Sequence, residues 1–424
     1  MKRKRLITLL LLLIFVLVIT KNQRISSSPD SLSKIDEQSQ FISDTDRELD
    51  EMKHLFSNFD EWLNAEIEST GTVGGAVAII YKDKIAYQKC FGVRKTGTAD
   101  SVDEHTVFRL ASVSKTFTGV LSGILVQENK LDFNECVKEI LPDFKLNRSL
   151  NTDSLTIRNL LTHTSGLTPH AYDDLVESHV PFNTILTRLK HAAISANPGK
   201  AYSYQNVMFS LMDTILTLKT DMNFDRQIRE KIFNPLDMSD ASTGFQSFRD
   251  NENKAWPHGK TNTSYQLLPL NNRYYSTAPA AGVNASISDM SKYTLALLDN
   301  ENPILGDSVS QIVFEPQIVT PLSRGYFKYW DDIDLKSYGL GWRLIDYKGR
   351  KIACHSGYVR GYKSEIVICR QENIGFVYLT NSPDAVASQS APVFLNSFFN
   401  YRSTPVIITD VDTLEEDSVI TQGS

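Results

Sequence analysis

Cysteine is scarce in this 424-residue chain, and its scarcity excludes several classes of protein. The four cysteines are far apart in the sequence and form no Cys-x-x-Cys pair or Cys/His cluster; they are Cys90, Cys136, Cys354 and Cys369. Four such cysteines are too few for a disulfide framework, and they provide no metal-ligand set. We therefore expect no metal site, and we expect the cysteines to be packing residues, as free cysteine tends to be buried.

The chain also lacks an excess of basic residues. It has 44 lysines and arginines against 50 aspartates and glutamates, a formal net charge of −6. Proteins that bind nucleic acid through its phosphates present a basic patch or stripe, so we predict no nucleic-acid partner. The composition is otherwise 41% hydrophobic and 22% charged, which is typical of a globular protein with enough apolar side chains for a large core.

A long apolar run occurs at the N-terminus, where "MKRKR" is followed by fifteen largely apolar residues, 6–20. A membrane-spanning helix prefers about 20 such residues, and basic residues before an apolar run favour export of the chain that follows. We therefore expect residues 1–21 to be a signal peptide or, somewhat favoured, an uncleaved signal anchor. The predicted protein is exported, periplasmic or at the cell surface, and contacts the membrane through this segment.

The remaining patterns predict an α/β fold built from both ends of the chain. Residues 22–43 are polar and serine-rich like a linker, and the apolar residues that follow have helical spacing. A hairpin is predicted to turn at Lys82, and four strand-like runs after about residue 335 predict an antiparallel meander. We expect a domain over 44–402, with an antiparallel sheet flanked by helices and a mainly helical insertion at about 130–300. An acidic tail follows at 403–424.

One predicted helix carries a serine and a lysine that could act together. In "FRLASVSKTFTGVLSGILVQENKL" the apolar residues recur at helical spacing, and Ser112 and Lys115 are one turn apart near the helix start. Burial lowers the pKa of a lysine, and a neutral amine beside a hydroxyl can activate it as a nucleophile. A solvated lysine at a helix start is the alternative interpretation. A second Ser-x-x-Lys, at Ser31 and Lys34, has no apolar face beside it, and we dismiss it.

Two further motifs offer partners for this pair. Tyr204 and Asn206 form a Tyr-x-Asn motif directly before a helical run. Tyr204 could act as a proton relay, and Asn206 could hydrogen-bond the lysine or a substrate amide. The alternative is a core tyrosine with a capping asparagine. His355, Ser356 and Gly357 lie on the second strand of the meander, where they could hold a substrate carboxylate. A packed histidine is the alternative. Strand alternation puts Cys354 on the face opposite His355.

In this order the three motifs resemble the serine β-lactamase-related family, which comprises class C β-lactamases, DD-peptidases and related esterases. The resemblance covers about residues 70–400 and includes "LTIRNLLTHTSGL", "IFNPLDMSDAS" and "YGLGWRLI". It implies a sheet domain and a helical domain with the active-site cleft between them. It also implies that no metal or cofactor is needed. Two similar stretches are set aside: Lys95–Gly97 precedes the nucleophile, and we expect no catalysis from the loop that begins at His163.

The resemblance implies a role for each motif residue. Ser112 would attack a carbonyl to form an acyl-enzyme, while Lys115 and Tyr204 move the protons. Asn206 would bind the lysine or the substrate. His355 and Ser356 would hold the anionic end of the substrate. The backbone N–H of Tyr358, which follows Gly357, would complete the oxyanion hole.

The substrate is the least defined part of the expectation. His355 stands where class C β-lactamases commonly have lysine, which favours the DD-peptidase and broader hydrolase branches. We therefore expect a DD-peptidase-like enzyme (a penicillin-binding protein) acting on a small molecule or a peptidoglycan-derived peptide. A β-lactamase or carboxylesterase of the same family is the alternative. A β-lactam sensor or a non-catalytic wall-binding protein is the alternative from another class.

Overall fold

The structure, a computed structural model, describes residues 43–262, 264–321 and 325–403. The predicted leader (1–21) and nearly all of the predicted linker (22–43) and tail (403–424) lie outside this range. Within it the strands are β1 (Gly74–Tyr81), β2 (Lys84–Gly92), β3 (Phe108–Arg109), β4 (Ser242–Thr243), β5 (His258–Lys260), β6 (Tyr265–Leu267), β7 (Val283–Ala285), β8 (Ile318–Val319), β9 (Ile333–Tyr338), β10 (Arg343–Tyr347), β11 (Arg350–Val359), β12 (Tyr362–Cys369) and β13 (Ile374–Thr380).

The helices of the same residues surround these strands. They are α1 (Asp44–Glu51), α2 (Lys53–Thr70), α3 (Ser114–Gln127), α4 (Val137–Ile140), α5 (Ser149–Ser154), α6 (Ile157–Leu161), α7 (Asp173–Glu177), α8 (Phe182–Arg188), α9 (Asn206–Thr220), α10 (Phe224–Ile228), α11 (Phe245–Asp250), α12 (Ala278–Ala281), α13 (Ile287–Leu298), α14 (Asp307–Val313) and α15 (Val386–Ser403). Among the described residues, no helix combines the length and the apolar character needed to cross a membrane.

The main sheet joins both ends of the chain, as the sequence predicts. In the described chain it has eight antiparallel strands in the order β2-β1-β13-β12-β11-β10-β9-β8. The N-terminal hairpin β1–β2 thus pairs with the last strand, β13, through contacts such as Val77 with Tyr378. The hairpin turns at Lys82, whose φ of 54° is left-handed. The predicted α/β fold with an antiparallel sheet flanked by helices is confirmed.

Each face of the sheet packs against a different part of the chain, because side chains alternate along each strand. On one face, which we call the back, α2 and α15 cover strand residues that include Val77, Val367 and Phe376. On the other face, the front, the middle of the chain packs on Ala78, Ile366 and their neighbours. That middle segment consists mostly of helices with the short strands β4 to β7. Cys354 is buried in the back layer and unpaired, as expected from alternation.

One predicted strand begins later than expected. In the run "YGLGWRLID", Tyr338 ends β9, residues 339–342 form a turn, and β10 begins only at Arg343. Gly341 has a left-handed φ of 79°, and a Cβ there would lie 2.2 Å from the Lys115 carbonyl oxygen. Only glycine allows this turn to approach α3 so closely. The turn therefore packs against the first residues of the helix that carries Lys115.

A buried carboxyl group lies on the back face of the sheet. Glu365 of β12 is aligned with Ser356 of β11 and Tyr378 of β13, and its side chain is 3% exposed. Among the described residues, one of its carboxyl oxygens and the Tyr378 hydroxyl have no hydrogen-bond partner. Burial raises the pKa of Glu365 to about 8, while the Lys363 charge opposes this shift. Glu365 is therefore protonated in the folded protein at neutral pH.

Replacing Glu365 with glutamine should change how stability depends on pH. Between its ordinary pKa of 4.5 and about 8, the folded chain keeps a proton that the unfolded chain has lost. The free energy of unfolding therefore falls as pH rises, by about 1.4 kcal/mol per pH unit from this group. Glu365→Gln should remove that slope in urea unfolding at pH 5 to 8, and the matched change at exposed Glu61 should not. Equal slopes in both variants would contradict the prediction.

Candidate active site

Ser112 lies in a tight turn held by two distant segments. A short 3₁₀ turn, Ala111–Val113, connects β3 to α3, and Ala111 adopts a left-handed φ of 46°, which is unfavourable for a residue with a side chain. The surrounding structure stabilises this conformation. The Leu110 N–H donates to the Val283 carbonyl at 3.0 Å, and the Ser364 hydroxyl donates to the Leu110 carbonyl at 2.6 Å. Strained turns of this kind are common at active sites.

Lys115 follows in the first turn of α3, and its side chain is fully buried. Its Nζ lies 2.7 Å from the Asn206 amide oxygen, 3.0 Å from the Ala280 carbonyl oxygen and 3.4 Å from Ser112 Oγ. Burial lowers the pKa of Lys115 well below its ordinary value; the Asp173 carboxylate opposes the shift, and the Arg343 guanidinium adds to it. Because charging a buried amine is costly, the neutral form is favoured.

A neutral amine in these surroundings has a defined orientation. It has two N–H donors and one lone pair, and the carbonyl oxygens of Asn206 and Ala280 can accept both donors. The lone pair is then left for the Ser112 hydroxyl. Ala280 is held in place because the Thr118 hydroxyl of α3 donates to the Pro279 carbonyl at 2.8 Å. The arrangement can therefore take a proton from Ser112.

Tyr204 approaches Ser112 from the helical segment. Its hydroxyl donates to Ser112 Oγ at 2.9 Å, and Lys115 Nζ lies 4.7 Å from the centre of its ring. Burial raises the pKa of Tyr204, while the nearby Arg343 guanidinium and the hydrogen bond to Ser112 lower it. Burial dominates, so the phenol remains protonated at neutral pH. In this state Tyr204 can donate a proton, which is one half of the proton relay that the sequence suggested.

His163 forms part of the wall behind Tyr204, although the sequence gave no reason to place it there. Its ring lies 4.3 Å from that of Tyr204, centre to centre, and its Nδ1 accepts the backbone N–H of Gln205 at 3.1 Å. Its Nε2 is buried and has no partner among the described residues. Burial lowers the pKa of His163 well below its ordinary value, and the charge of the Arg343 guanidinium lowers it further. His163 therefore supports the Tyr204–Asn206 segment as a neutral ring.

His355, which was expected to hold the anionic end of a substrate, lies beside this group. It is fully buried, with Nε2 accepting from the Tyr338 hydroxyl at 3.1 Å and Nδ1 donating to the Ser356 carbonyl at 2.8 Å. Burial lowers its pKa well below the ordinary value, and the charge of the Arg343 guanidinium acts in the same direction. A neutral ring with both nitrogens engaged does not hold an anion by charge. That part of the expectation for His355 needs correction.

The residues after His355 bring β11 against the turn of Ser112. A Cβ on Gly357 would lie 2.1 Å from the Leu110 carbonyl oxygen and 2.9 Å from the Ser112 nitrogen, so only glycine fits. Tyr358, whose backbone N–H was expected in the oxyanion hole, is the next residue; its side chain is 67% exposed. Ser356 is half-buried and, by strand alternation, lies on the back face with Cys354.

Arg343, at the start of β10, provides the positive charge that His355 lacks. Its guanidinium donates to the Tyr202 hydroxyl at 3.2 Å and lies 4.2 Å from the Tyr326 ring centre and 5.3 Å from that of Tyr204. Within the described residues, the groups that favour its charge are tyrosines and not carboxylates, and its Nε is buried without a partner. A guanidinium beside Tyr204 that has no carboxylate partner in the described part of the chain is suited to bind an anion.

The close contact at Gly357 can be tested by adding one methyl group. Gly357→Ala should force the Ser112 turn away from β11 and lower the free energy of unfolding by about 1–3 kcal/mol, the usual cost of overpacking. Gly325→Ala is the matched control, because a Cβ there has no neighbour within 4 Å. Thermal unfolding measures both variants. Equal melting temperatures for the two would rule out the tight contact.

Comparison with known proteins agrees with this geometry. The sequence profile of the β-lactamase family matches residues 55–393. The chain is 24% identical over 348 residues to the unguisins hydrolase ungD' of Aspergillus campestris (strain IBT 28561). This alignment covers 80% of this chain and 63% of that protein. It is 22% identical over 330 residues to the protein flp of Staphylococcus aureus (strain COL). This alignment covers 76% of this chain and 62% of that protein. The chain thus spans less than two thirds of the length of these relatives.

The fold also has a close counterpart among solved structures. It is similar to the octameric penicillin-binding protein homologue from Pyrococcus abyssi, with a TM-score of 0.70 and 22% identity. The match covers 80% of this chain and 77% of that one. The three predicted motifs, which are distant in sequence, are adjacent in the structure. The chain belongs to the β-lactamase family of serine hydrolase folds.

Proposed function

We propose that the protein is a serine hydrolase that works through an acyl-enzyme on Ser112. The observation that carries the proposal is the position of Ser112 Oγ, which lies 3.4 Å from Lys115 Nζ and 2.9 Å from the Tyr204 hydroxyl. A base on one side and an acid on the other are what acyl transfer to a serine requires. The motif roles expected from the resemblance fit this placement for Ser112, Lys115, Tyr204 and Asn206.

Acylation would proceed by transfer of one proton and exchange of one bond. Lys115 accepts the Ser112 proton, and Oγ forms a bond to the substrate carbonyl carbon, whose oxygen takes the displaced electron pair. Collapse of this intermediate restores the carbonyl and breaks the bond to the leaving group, which takes the proton of the Tyr204 phenol. The Lys115 ammonium then returns a proton to Tyr204. In deacylation Lys115 accepts a proton from the attacking water, and the new tetrahedral intermediate collapses. Ser112 Oγ then leaves with the proton of the Tyr204 phenol, which the Lys115 ammonium restores.

The negative oxygen of the intermediate needs donors in place before the reaction. The Ser112 N–H lies at the start of α3, beside the strand residue Gly357. We propose that it forms the oxyanion hole together with the N–H of Tyr358. Donors fixed in advance stabilise the transition state without reorganising, and each typically contributes about 2.7–4 kcal/mol.

The outer edge of β11 suits an extended substrate that ends in a carboxylate. In the described sheet β11 pairs with β10 only as far as Cys354, and residues 355–359 pair with β12 alone. An extended peptide can add to such an edge. We propose that Arg343 binds its carboxylate, the role that the resemblance assigned to His355 and Ser356. This arrangement favours a DD-peptidase-like substrate, a peptide with a free C-terminus, over an uncharged ester.

We further propose that the reaction takes place outside the cytoplasm. The support is the sequence of residues 1–21, in which four basic residues precede the apolar run. Peptidoglycan-derived substrates are found in that compartment, as are the β-lactams on which the alternative activity would act.

The nucleophile can be tested directly. Ser112→Ala should abolish covalent labelling by a fluorescent penicillin or an activated ester, because no oxygen remains to form the ester, and it should leave the melting temperature nearly unchanged. Ser31→Ala, which alters the other Ser-x-x-Lys of the chain, is the matched control and should label normally. Labelling that persists in Ser112→Ala, measured by gel fluorescence and intact mass, would refute the assignment.

The substrate class can be tested at Arg343. Arg343→Gln should raise the KM for a D-Ala-D-Ala peptide by about 10- to 100-fold, the loss expected for one charge-assisted hydrogen bond. It should change kcat/KM for uncharged p-nitrophenyl butyrate by less than about threefold. Arg360→Gln, at an exposed arginine after β11, is the control for charge alone. If both substrates suffer equally, the carboxylate is bound elsewhere.

The alternatives predict different time courses in the same assay. A DD-peptidase-like enzyme turns over the D-Ala-D-Ala peptide and is acylated slowly or persistently by nitrocefin, whereas a β-lactamase turns over nitrocefin. An esterase turns over only p-nitrophenyl butyrate. A β-lactam sensor is acylated by nitrocefin and scarcely released, and a silent wall-binding protein reacts with none of the three.

A further inference from the structure

A carboxylate outside the three motifs contacts the candidate active site through Asn206. Asp173 is the first residue of α7, and its Oδ2 accepts from the Asn206 amide nitrogen at 2.8 Å. The same oxygen lies 2.8 Å from His170 Nδ1. The Asn206 amide oxygen in turn accepts from Lys115 Nζ at 2.7 Å. A continuous chain of hydrogen bonds therefore runs from His170 at the surface to the buried amine.

The orientation of the Asn206 amide decides what Lys115 can do. An asparagine amide can turn over and exchange its oxygen and nitrogen with little change in shape. With the oxygen toward Lys115, the amine donates to it and keeps its lone pair for Ser112. With the nitrogen toward Lys115, the amide would donate to that lone pair, and Ser112 would lose its base. An acceptor that holds the amide nitrogen prevents this exchange.

We propose that Asp173 is a positioning residue that fixes the Asn206 amide and thereby aims the Lys115 lone pair at Ser112. The inference rests on the proposed acylation of Ser112 and adds a residue to it. Asp173 touches no reacting atom; it acts through Asn206, which is buried at the start of α9. Its other oxygen, Oδ1, is buried without a partner among the described residues, so the Asn206 and His170 bonds both use Oδ2.

Asp173 also affects Lys115 through its charge. The groups around the amine that carry or can acquire a charge are contributed by five separate segments, and they are Tyr204, His163, His355, Arg343 and Asp173. The tyrosine and both histidines are neutral at pH 7 for the reasons given above. Arg343 disfavours the ammonium and Asp173 favours it. Removing the Asp173 charge should therefore lower the pH at which Lys115 gains its proton.

Kinetics of five variants separate positioning from a general structural role. Asp173→Ala removes the acceptor and should slow acylation of Ser112 by p-nitrophenyl butyrate by about 10- to 100-fold, part of the usual contribution of a general base. Asp173→Asn keeps an acceptor oxygen of the same shape and should recover most of the rate. In an Asn206→Ala background, Asp173→Ala should have less than about a twofold effect, because the residue it acts through is gone. Asp174→Asn, at the exposed neighbour, is the control.

A titration that needs no substrate tests the same claim independently. In protein labelled with ¹⁵N-lysine, the Nζ resonance of Lys115 should titrate at a lower pH in Asp173→Asn than in the wild type, with no change in Asp174→Asn. If no variant is acylated by any probe, the proposed hydrolase function fails, and this titration still reports on the contact. If Ser112 is acylated but neither the rate in Asp173→Ala nor the titration in Asp173→Asn changes, Asp173 is not a positioning residue.

Discussion

A lysine amine that is fully buried beside a serine hydroxyl is the constraint around which the rest of the site is arranged. Burial makes the ammonium form costly, so the amine stays neutral and can accept a proton. It needs two acceptors for its N–H groups, and a third acceptor would compete with the serine. Asn206 and Ala280 provide those two oxygens. The Asp173 carboxylate contacts Asn206, which separates it from Lys115. A carboxylate in direct contact would stabilise the ammonium and remove the base.

The fold meets this requirement by bringing three distant parts of the chain together. The turn of Ser112 is held from one side by β7 and from the other by β12, so that strain at Ala111 is tolerated. The helical segment contributes Tyr204 and Asn206, and β11 passes so close to Ser112 that a glycine is required. Because these groups are already fixed by the fold, the proposed reaction would need little reorganisation.

The sequence predicted the features that depend on local spacing. Ser112 and Lys115 are one helical turn apart in any α-helix. The hairpin at Lys82 and the meander follow from strand patterns. These features could therefore be predicted from the sequence. Features that depend on which other residues pack against a side chain could not be predicted from the sequence. Asp173 is 33 residues from Asn206 and contacts it only because α7 packs on α9. Arg343 reaches the site through strand pairing, and no pattern in the sequence indicates that His355 or Glu365 would be neutral.

A neutral His355 leaves the binding of a substrate carboxylate to another residue. A histidine that titrates near neutral pH would have tied anion binding and proton transfer to the same pH range. In the structure His355 is a neutral element of the wall, and the positive charge comes from Arg343, which does not titrate in the range where proteins are stable. Binding of a carboxylate would then be independent of pH, and the pH dependence of acylation would report on Lys115 alone. Substitutions on β10 would therefore change carboxylate binding, and substitutions around α3 would change proton transfer, each without the other.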